Sequence, residues 1–324
     1  MDHGEFMAEP SSAGPAAQLV PLAALPRGRL LAVWNAAADH DPLTPGLLAE
    51  KLDHEPAEAA ACGLAALVGD ALAGWAFGVL REAASGPRGV VKLLAVAPDF
   101  RRRGVGSALL AAVESRLVAA GAAAIRVGES APNYLVPGVD ERCTSLAVFL
   151  ERRGYVRIGS AVTMQADLAA DPFATEADEV RLAAGGITVR RAGDAEVPAL
   201  AALLASHWPS WQAEVTAALA RSPRAVHVAC GGDDAVVAFA AYDGNNAGTG
   251  WFGPMGTAPA WEGRGIGRVL LRRCLRDLKR QGHARAVIPW VGPVAFYERH
   301  AGAGVCRTFI RFEKNVHPPG SPSA

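Results

Sequence analysis

One short pattern occurs twice in the chain: a proline and a few polar residues, then two glycines that open an apolar helical stretch. The two copies span residues 98–110 and 259–271. The pairs that recur at one offset of 161 residues are Pro98 and Pro259, Gly104 and Gly265, Gly106 and Gly267, Leu110 and Leu271, and Gly121 and Gly282. Two copies in phase, each with its own flanking apolar segments, indicate a duplicated domain.

A glycine loop that opens a helix is suited to binding an anion. The first turn of a helix offers unpaired N–H groups and about half a positive charge, and glycine lets the backbone approach phosphate oxygens closely. The arginines at 101–103 add charge that suits a diphosphate. No Gly-Lys-Ser/Thr follows, and Leu109 and Leu270 stand where a dinucleotide fingerprint needs its third glycine. The alternative is an ordinary turn with solvent-exposed arginines.

The charge balance and the cysteines limit the class of protein. The 32 basic residues balance 32 acidic ones, so nothing global favours nucleic acid or an anionic membrane. The 5 scattered cysteines show neither zinc-ligand spacing nor a disulfide framework, so no metal is expected and a reducing cytoplasm is favoured. No apolar run reaches the roughly 18 residues of a membrane span. We expect a cytoplasmic monomer or homodimer that acts on a small molecule.

Strand and helix patterns follow the same order in both halves, which predicts an α/β fold in two copies. Each half begins with a strand and two helices, and continues with a hairpin and a strand that leads into the glycine loop. Gly69-Asp70 marks the first hairpin. The predicted boundaries are 16–170 for the first domain, 171–186 for an acidic linker and 187–316 for the second domain. The ends, 1–15 and 317–324, are expected to be loose.

The first copy carries an insertion. Phe149 recurs as Phe296, an offset of only 147, so the first copy holds 14 extra residues before that point. The inserted stretch includes residues 131–140, whose two prolines and glycine predict a loop. Its Tyr134 and the apolar residues beside it argue against disorder, which leaves a functional loop as the interpretation.

Both loops resemble the acetyl-CoA diphosphate loop of the GNAT acyltransferases, written Arg/Gln-x-x-Gly-x-Gly/Ala after a strand that ends Val-x-Pro. In the first copy Arg101, Gly104 and Gly106, preceded by Val96 and Pro98, match this pattern in full. In the second copy Glu262 takes the Arg/Gln place and Thr257 the Val place. The resemblance implies two tandem GNAT domains, each a mixed, mostly antiparallel sheet flanked by helices, and acetyl-CoA as the donor.

The resemblance also implies which residues would hold the donor. Strands 89–97 and 123–127, and likewise 250–257 and 285–289, would splay apart so that backbone N–H groups bind the pantetheine arm and the acyl carbonyl. In the first copy the implied donor site is Leu94, Val96, Arg101, Arg102, Arg103, Gly104, Val105, Gly106 and Ser107. In the second copy it is Met255, Thr257, Gly263, Arg264, Gly265, Ile266, Gly267 and Arg268.

Acetyl transfer to an amine needs a base for the amine and an acid for the leaving thiolate. In the GNAT family a tyrosine on the helix after the splayed strands usually acts as that acid, and Tyr297 stands there in the second copy; its counterpart is Leu150. We therefore expect catalysis in the second domain, with the first binding acetyl-CoA structurally or using Tyr134 instead. Asp243 is the candidate base and His227 an alternative, and transfer through water is a third route.

The acceptor pocket of this fold is walled by the loop between its first two helices. In the second copy that loop holds Trp208 and Trp211, whose faces suit a sugar or a cation, and Tyr134 is a further candidate for contact with the substrate. Four segments, 34–35, 41–44, 133–140 and 291–299, look like the two-domain glucosamine/glucosaminide N-acetyltransferases. The resemblance implies an amino sugar acceptor such as glucosamine. The alternatives are a non-catalytic acetyl-CoA sensor and a protein or peptide N-acetyltransferase.

Overall fold

The computed structural model describes residues 17–56, 60–83 and 86–316. The two ends that the sequence predicts to be loose lie outside these described residues. Within them, no helix is long and apolar enough to cross a membrane.

The first half alternates strands and helices in the order expected from the sequence. Its elements are β1 (Gln18–Pro21), α1 (Arg27–Ala37), α2 (Pro45–Asp53), β2 (Ala61–Val68), β3 (Ala71–Arg81), β4 (Arg88–Val96), α3 (Val105–Ala119), β5 (Ala124–Val127), β6 (Val139–Asp140), α4 (Thr144–Glu151) and β7 (Val156–Asp167). The β2–β3 hairpin turns at Gly69-Asp70, as the sequence predicts, with Gly69 at a φ of 58°.

The second half repeats this order after one additional helix. Its elements are α5 (Glu176–Ala184), β8 (Thr188–Arg191), α6 (Val197–His207), α7 (Gln212–Leu219), β9 (Val226–Cys230), β10 (Val236–Tyr242), β11 (Phe252–Thr257), α8 (Ile266–Arg280), β12 (Arg285–Ile288), α9 (Val294–Ala301) and β13 (Gly304–Asn315). Helix α5 falls in the acidic segment between the halves and packs against α8.

The two halves exchange their last strands. In the described part of the chain the strands form one sheet in the order β1-β2-β3-β4-β5-β13-β7-β12, to which β6 adds beside β13, and a second in the order β11-β10-β9-β8. Strand β13 of the second half thus lies between β5 and β7 of the first, and β7 pairs with β12. Most pairs are antiparallel, while β4 and β5 are parallel. The expected class, a mixed and mostly antiparallel sheet flanked by helices, is confirmed.

Both glycine loops open their helices in the same way. Gly104 precedes α3 and Gly265 precedes α8, each at a φ of 84°, a left-handed conformation that glycine adopts without strain. A short 3-10 turn begins at Pro98 and at Pro259 before them. Each long helix then lays its apolar face on the sheet of its own half. The duplication seen in the sequence is therefore a duplication of backbone geometry.

Candidate active site

A cavity of about 1200 Å³ opens in the second half of the molecule. Its wall is formed by β11, the first turn of α8, the end of β12 and α9, with α7 and the inserted loop of the first half closing one end. Ligand pockets commonly measure about 300–1,000 Å³. The cavity therefore has room for an elongated donor and a small acceptor together.

One end of this cavity is the glycine loop. Residues 263–268 and the strand residues Met255 and Thr257, all assigned to the donor site from the sequence, line it together. A Cβ atom on Gly267 would lie 3.4 Å from Met255 Cε and 3.5 Å from Phe296 Cζ, so these two side chains pack directly against the loop. The free N–H groups at the start of α8 lie at this end, where an anion such as a diphosphate could accept from them.

An arginine from outside the loop joins this end. Arg181, on α5, lines the cavity, and its Nη2 would lie 3.0 Å from a Cβ atom built on Gly265. Asp178 accepts a hydrogen bond from Arg181 Nη2 at 3.1 Å and also pairs with Arg268. The segment between the halves thus brings a cation to the loop in which Glu262 replaces the family's Arg or Gln.

The middle of the cavity lies where two strands part. Trp251 and Val287 form one parallel bridge, and β11 and β12 diverge beyond it. Tyr297, on α9, lines the cavity here and packs edge-on against Phe252, with ring centroids 6.2 Å apart. Burial raises the pKa of the Tyr297 hydroxyl to about 12, so the group keeps its proton at neutral pH and can donate it.

The other end is aromatic and is completed by the first half. Tyr134, in the inserted loop, packs edge-on against Trp251 and Trp290, with ring centroids 5.6 and 5.5 Å away. Trp211 lines the same end. Trp208 lies behind Trp211 and stacks on its ring, with the two ring centroids 5.5 Å apart. The structure therefore brings Tyr134 and Trp211 to the cavity of the second half and leaves Trp208 as support.

The inserted loop is fixed to the second half by buried hydrogen bonds. Asn245 Nδ2 donates to Tyr134 O at 2.9 Å, and Asn246 Nδ2 donates to Leu135 O at 3.1 Å. Glu50, on α2, accepts from the backbone N–H of Asn246 at 2.7 Å. Because these polar groups are buried, their loss would leave unsatisfied partners, and the loop is held in one position.

One carboxylate of this end was not singled out from the sequence. Glu214, on α7, is 8% exposed and lines the cavity, and its Oε1 is buried without a hydrogen-bond partner. Burial raises the pKa of this carboxyl to about 8. It is the kind of group that can exchange a proton near neutral pH.

The two candidate bases from the sequence lie away from the cavity lining. Asp243 accepts a hydrogen bond from Gly248 N at 3.2 Å and shapes the loop between β10 and β11. His227 Nε2 lies 2.6 Å from Asp277 Oδ2, in the contact between β9 and α8. The structure does not bring either residue together with Tyr297.

The loop of the first half is occupied by its own side chains. Arg101 donates from Nη2 to Ala37 O at 3.0 Å. Arg153 donates to Ser107, within the first turn of α3, and lies 3.8 Å from the Phe149 ring centroid. The other implied donor residues of this half are placed as follows: Leu94, Val96, Gly106 and Ser107 are half-buried, Val105 is buried, and Arg102, Arg103 and Gly104 are exposed.

The strand opening of the first half is filled by a charged network. Lys92, at the point where β4 leaves β5, is 3% exposed; it pairs with Glu55 and donates to Lys51 O at 2.6 Å. The residue 161 positions later is Gly253, and a Cβ atom built on this glycine would have no neighbour within 4 Å. Leu150, the counterpart of Tyr297, is fully buried in the core.

Fold and site together define a tandem acyltransferase architecture with a large open cavity in the second half. Two segments, residues 30–134 and 197–303, match the family described as Acetyltransferase (GNAT) family. The chain belongs to this family, and its class of enzyme is N-acetyltransferase. Proteins of this fold generally use acetyl-CoA. Comparison of the sequence with curated proteins finds no match.

Solved structures share the fold across nearly the whole chain. A GCN5-related glucosamine N-acetyltransferase region of a fungal multi-domain GH3 beta-N-acetylglucosaminidase is 18% identical with a TM-score of 0.79, and the match covers 93% of this chain and 38% of that one. A tandem GNAT protein from the clavulanic acid biosynthesis pathway is 18% identical with a TM-score of 0.68, covering 95% of this chain and 100% of that one. A GCN5-related N-acetyltransferase from Sphaerobacter thermophilus is 17% identical with a TM-score of 0.66, covering 93% and 96%. At these identities the likeness shows the fold alone.

Proposed function

We propose that the second half binds acetyl-CoA and a small primary amine and transfers the acetyl group directly between them. An amino sugar such as glucosamine is the proposed acceptor. The observation that carries this proposal is that the glycine loop, Tyr297 and the aromatic end line one continuous cavity. Acetyl-CoA supplies the acyl group as a thioester, which an amine can attack without prior activation by ATP.

The residues at the donor end would bind and orient the coenzyme. The N–H groups of the first turn of α8 would bind the diphosphate, and Arg181 and Arg268 would add charge. The edge of β11, which faces the cavity beyond the Trp251 bridge, would hold the arm of the donor. Tyr297 would donate its proton to the departing sulfur.

The residues at the acceptor end favour a compact amine over an extended chain. Tyr134, from the first half, packs against Trp290 and closes one side of this end, and Trp211 closes the side of α7. Aromatic faces pack against the C–H faces of a sugar ring, and a buried carboxylate such as Glu214 suits an ammonium group. The likeness to a fungal glucosamine N-acetyltransferase region supports the same acceptor class.

Thiol release with a panel of amines tests this function. The protein, acetyl-CoA and either an amino sugar, a polyamine, an aminoglycoside or a peptide are mixed, and free thiol is followed with a chromogenic reagent. We expect amino sugars to release thiol well above the rate of hydrolysis. The control is Tyr155→Phe, which removes a hydroxyl bonded to Glu114 in the first half and should keep this activity.

Each of the other outcomes would replace the proposal with a specific alternative. Tight acetyl-CoA binding by calorimetry, with no transfer to any amine, would favour a non-catalytic sensor. Faster turnover with peptides than with sugars would favour a peptide N-acetyltransferase.

A further inference from the structure

Glu214 stands between two cavities. It lines the large cavity of the second half and also a smaller, partly open one of about 180 Å³, which residues of both halves line. Its Oε1 is buried and has no hydrogen-bond partner among the described residues. A buried carboxylate oxygen without a partner is costly, and a ligand group or a water that donates to it would remove that cost.

The surroundings of Glu214 set its proton affinity. Burial is the main cause that raises the pKa of its carboxyl, Lys51 on α2 lowers it, and Glu50 on the same helix raises it further. Burial raises the pKa of Tyr134, and the Glu214 charge raises it further. The titratable and charged groups that line the smaller cavity with it are Glu50, His54, Glu55 and Arg221.

We propose that Glu214 receives the proton that the acceptor amine must lose, and that the smaller cavity passes this proton to solvent. This inference rests on the proposed function. It assigns the base to α7, whereas the sequence had placed it at Asp243.

The proton balance of the reaction is complete with these groups. An ammonium acceptor, R–NH3⁺, transfers one proton to the Glu214 carboxylate and becomes R–NH2. Its nitrogen then forms the C–N bond as the C–S bond of the thioester breaks, and Tyr297 gives its proton to the sulfur. The second proton lost by the nitrogen returns to Tyr297, and the proton on Glu214 leaves for bulk water.

The smaller cavity is suited to carry that proton. A water occupies about 30 Å³ of liquid, so about 180 Å³ has room for several. Carboxylates, two amides and a guanidinium line it and can bind those waters. Ala217, one turn beyond Glu214 on α7, lines the same cavity, and a larger side chain there would reduce the space for water.

Glu214→Gln tests the base. We expect kcat/KM for glucosamine to fall by roughly 10²-fold. The pH profile of the wild type should have an acid limb near pH 8, and the variant should lose it. An acceptor already neutral at the assay pH, such as hydroxylamine, should lose far less. Acetyl-CoA affinity by calorimetry should be unchanged, which also reports that the variant is folded, and Glu151→Gln on the exposed surface is the matched control.

A second readout needs no donor and no turnover. Infrared difference spectra between acid and alkaline buffers should show a protonated-carboxyl band that titrates near pH 8 in the wild type and is missing in Glu214→Gln. Ala217→Leu should lower kcat and raise the solvent deuterium isotope effect, whereas the exposed Ala220→Leu should do neither.

The failures are distinguishable. A wild type that acetylates no amine overturns the proposed function and this inference together. If the wild type turns over, two results would overturn the assignment of the base. One is a Glu214→Gln enzyme that keeps the acid limb, and the other is loss of that limb only in Asp243→Asn. An unchanged isotope effect in Ala217→Leu overturns the exit route.

Discussion

The two halves have the same backbone fold but differ in the side chains at the point where their strands separate. In the first half Lys92 fills this opening and pairs with Glu55. In the second half Gly253 stands at the equivalent place and leaves it empty. Duplicated folds therefore keep the loop and helix geometry, while single side chains decide which copy retains a cavity.

The first half serves the cavity of the second. Its inserted loop places Tyr134 against Trp251 and Trp290, and its Glu50 holds the loop that follows β10. Because β13 also lies between β5 and β7, the halves share one hydrogen-bonded sheet. We infer a division of labour in which the first half builds the acceptor wall and the second holds the donor and the acid.

The largest expected effect comes from Tyr297→Phe. If the hydroxyl protonates the departing sulfur, turnover should fall by roughly 10²–10⁴-fold, the usual range for a positioned general acid. Acetyl-CoA affinity, measured by calorimetry, should change little because the ring remains. Its counterpart in the other copy, Leu150→Ala, should lower the melting temperature by removing buried volume. A Tyr297→Phe enzyme with most of its turnover would end the assignment of the acid to the second half.

Lys92→Met should lower the free energy of unfolding, because it removes one member of the charged network in the strand opening of the first half. The substitution leaves the Glu55 carboxylate buried with Arg81 as its remaining cation, so we expect a loss of about 3 kcal/mol in the free energy of unfolding. Denaturant unfolding measures this. Gain of a second acetyl-CoA site by calorimetry, with no loss of stability, would instead mean that Lys92 merely blocks a competent site.

Glu214 should make the free energy of unfolding depend on pH. Its folded pKa of about 8 lies above the ordinary value of 4.5, so the folded state holds a proton that the unfolded state has released. Stability should therefore fall as pH rises from about 4.5 to 8, by on the order of 2–4 kcal/mol. Glu214→Gln should remove this decline in thermal melts taken across that range. An equal decline in the variant would assign it to other groups.

Much of the likeness between the two halves could be predicted from the sequence, because glycine spacing and hydrophobic periodicity are local patterns. The duplicated loops, the β2–β3 turn at Gly69 and the α/β class all follow from such patterns. The exchange of β7 and β13 could not, since a strand's pattern does not tell which edge it joins. The same limit applies to Tyr134, which the sequence placed in either site and which the fold brings to the second cavity.

The missed residues share one physical reason. Arg181 lies in an acidic segment that reads as a linker, and only the packing of α5 on α8 brings it to Gly265. Glu214 lies on a helix whose weak periodicity does not separate buried from exposed positions, and the charges that act on it, Lys51 and Glu50, come from α2 of the other half. Long-range contacts of this kind have no signature in a short window of sequence.

Arginine truncation in the two copies should separate their donor sites. Arg181→Ala removes a cation beside the loop of the second half, and we expect acetyl-CoA affinity to fall about 10-fold, the weight of one charge-assisted contact. Arg101→Ala removes bonds to Ala37 O and Val96 O in the first half and should spare turnover. Titration calorimetry and initial rates measure both. Collapse of turnover in Arg101→Ala alone would move catalysis to the first half.

The smallest expected effect is a gain. Glu262 is exposed at the mouth of the donor end, where the first copy has Arg101. Glu262→Arg should replace repulsion of the diphosphate by attraction and tighten acetyl-CoA about 2–5-fold, little more because exposed charges are screened. The gain should shrink as salt is added, and Glu262→Gln should give roughly half of it in free energy. An affinity that does not change in low salt would mean that the carboxylate points away from the ligand, and that Arg181 alone compensates for the departure from the family's loop.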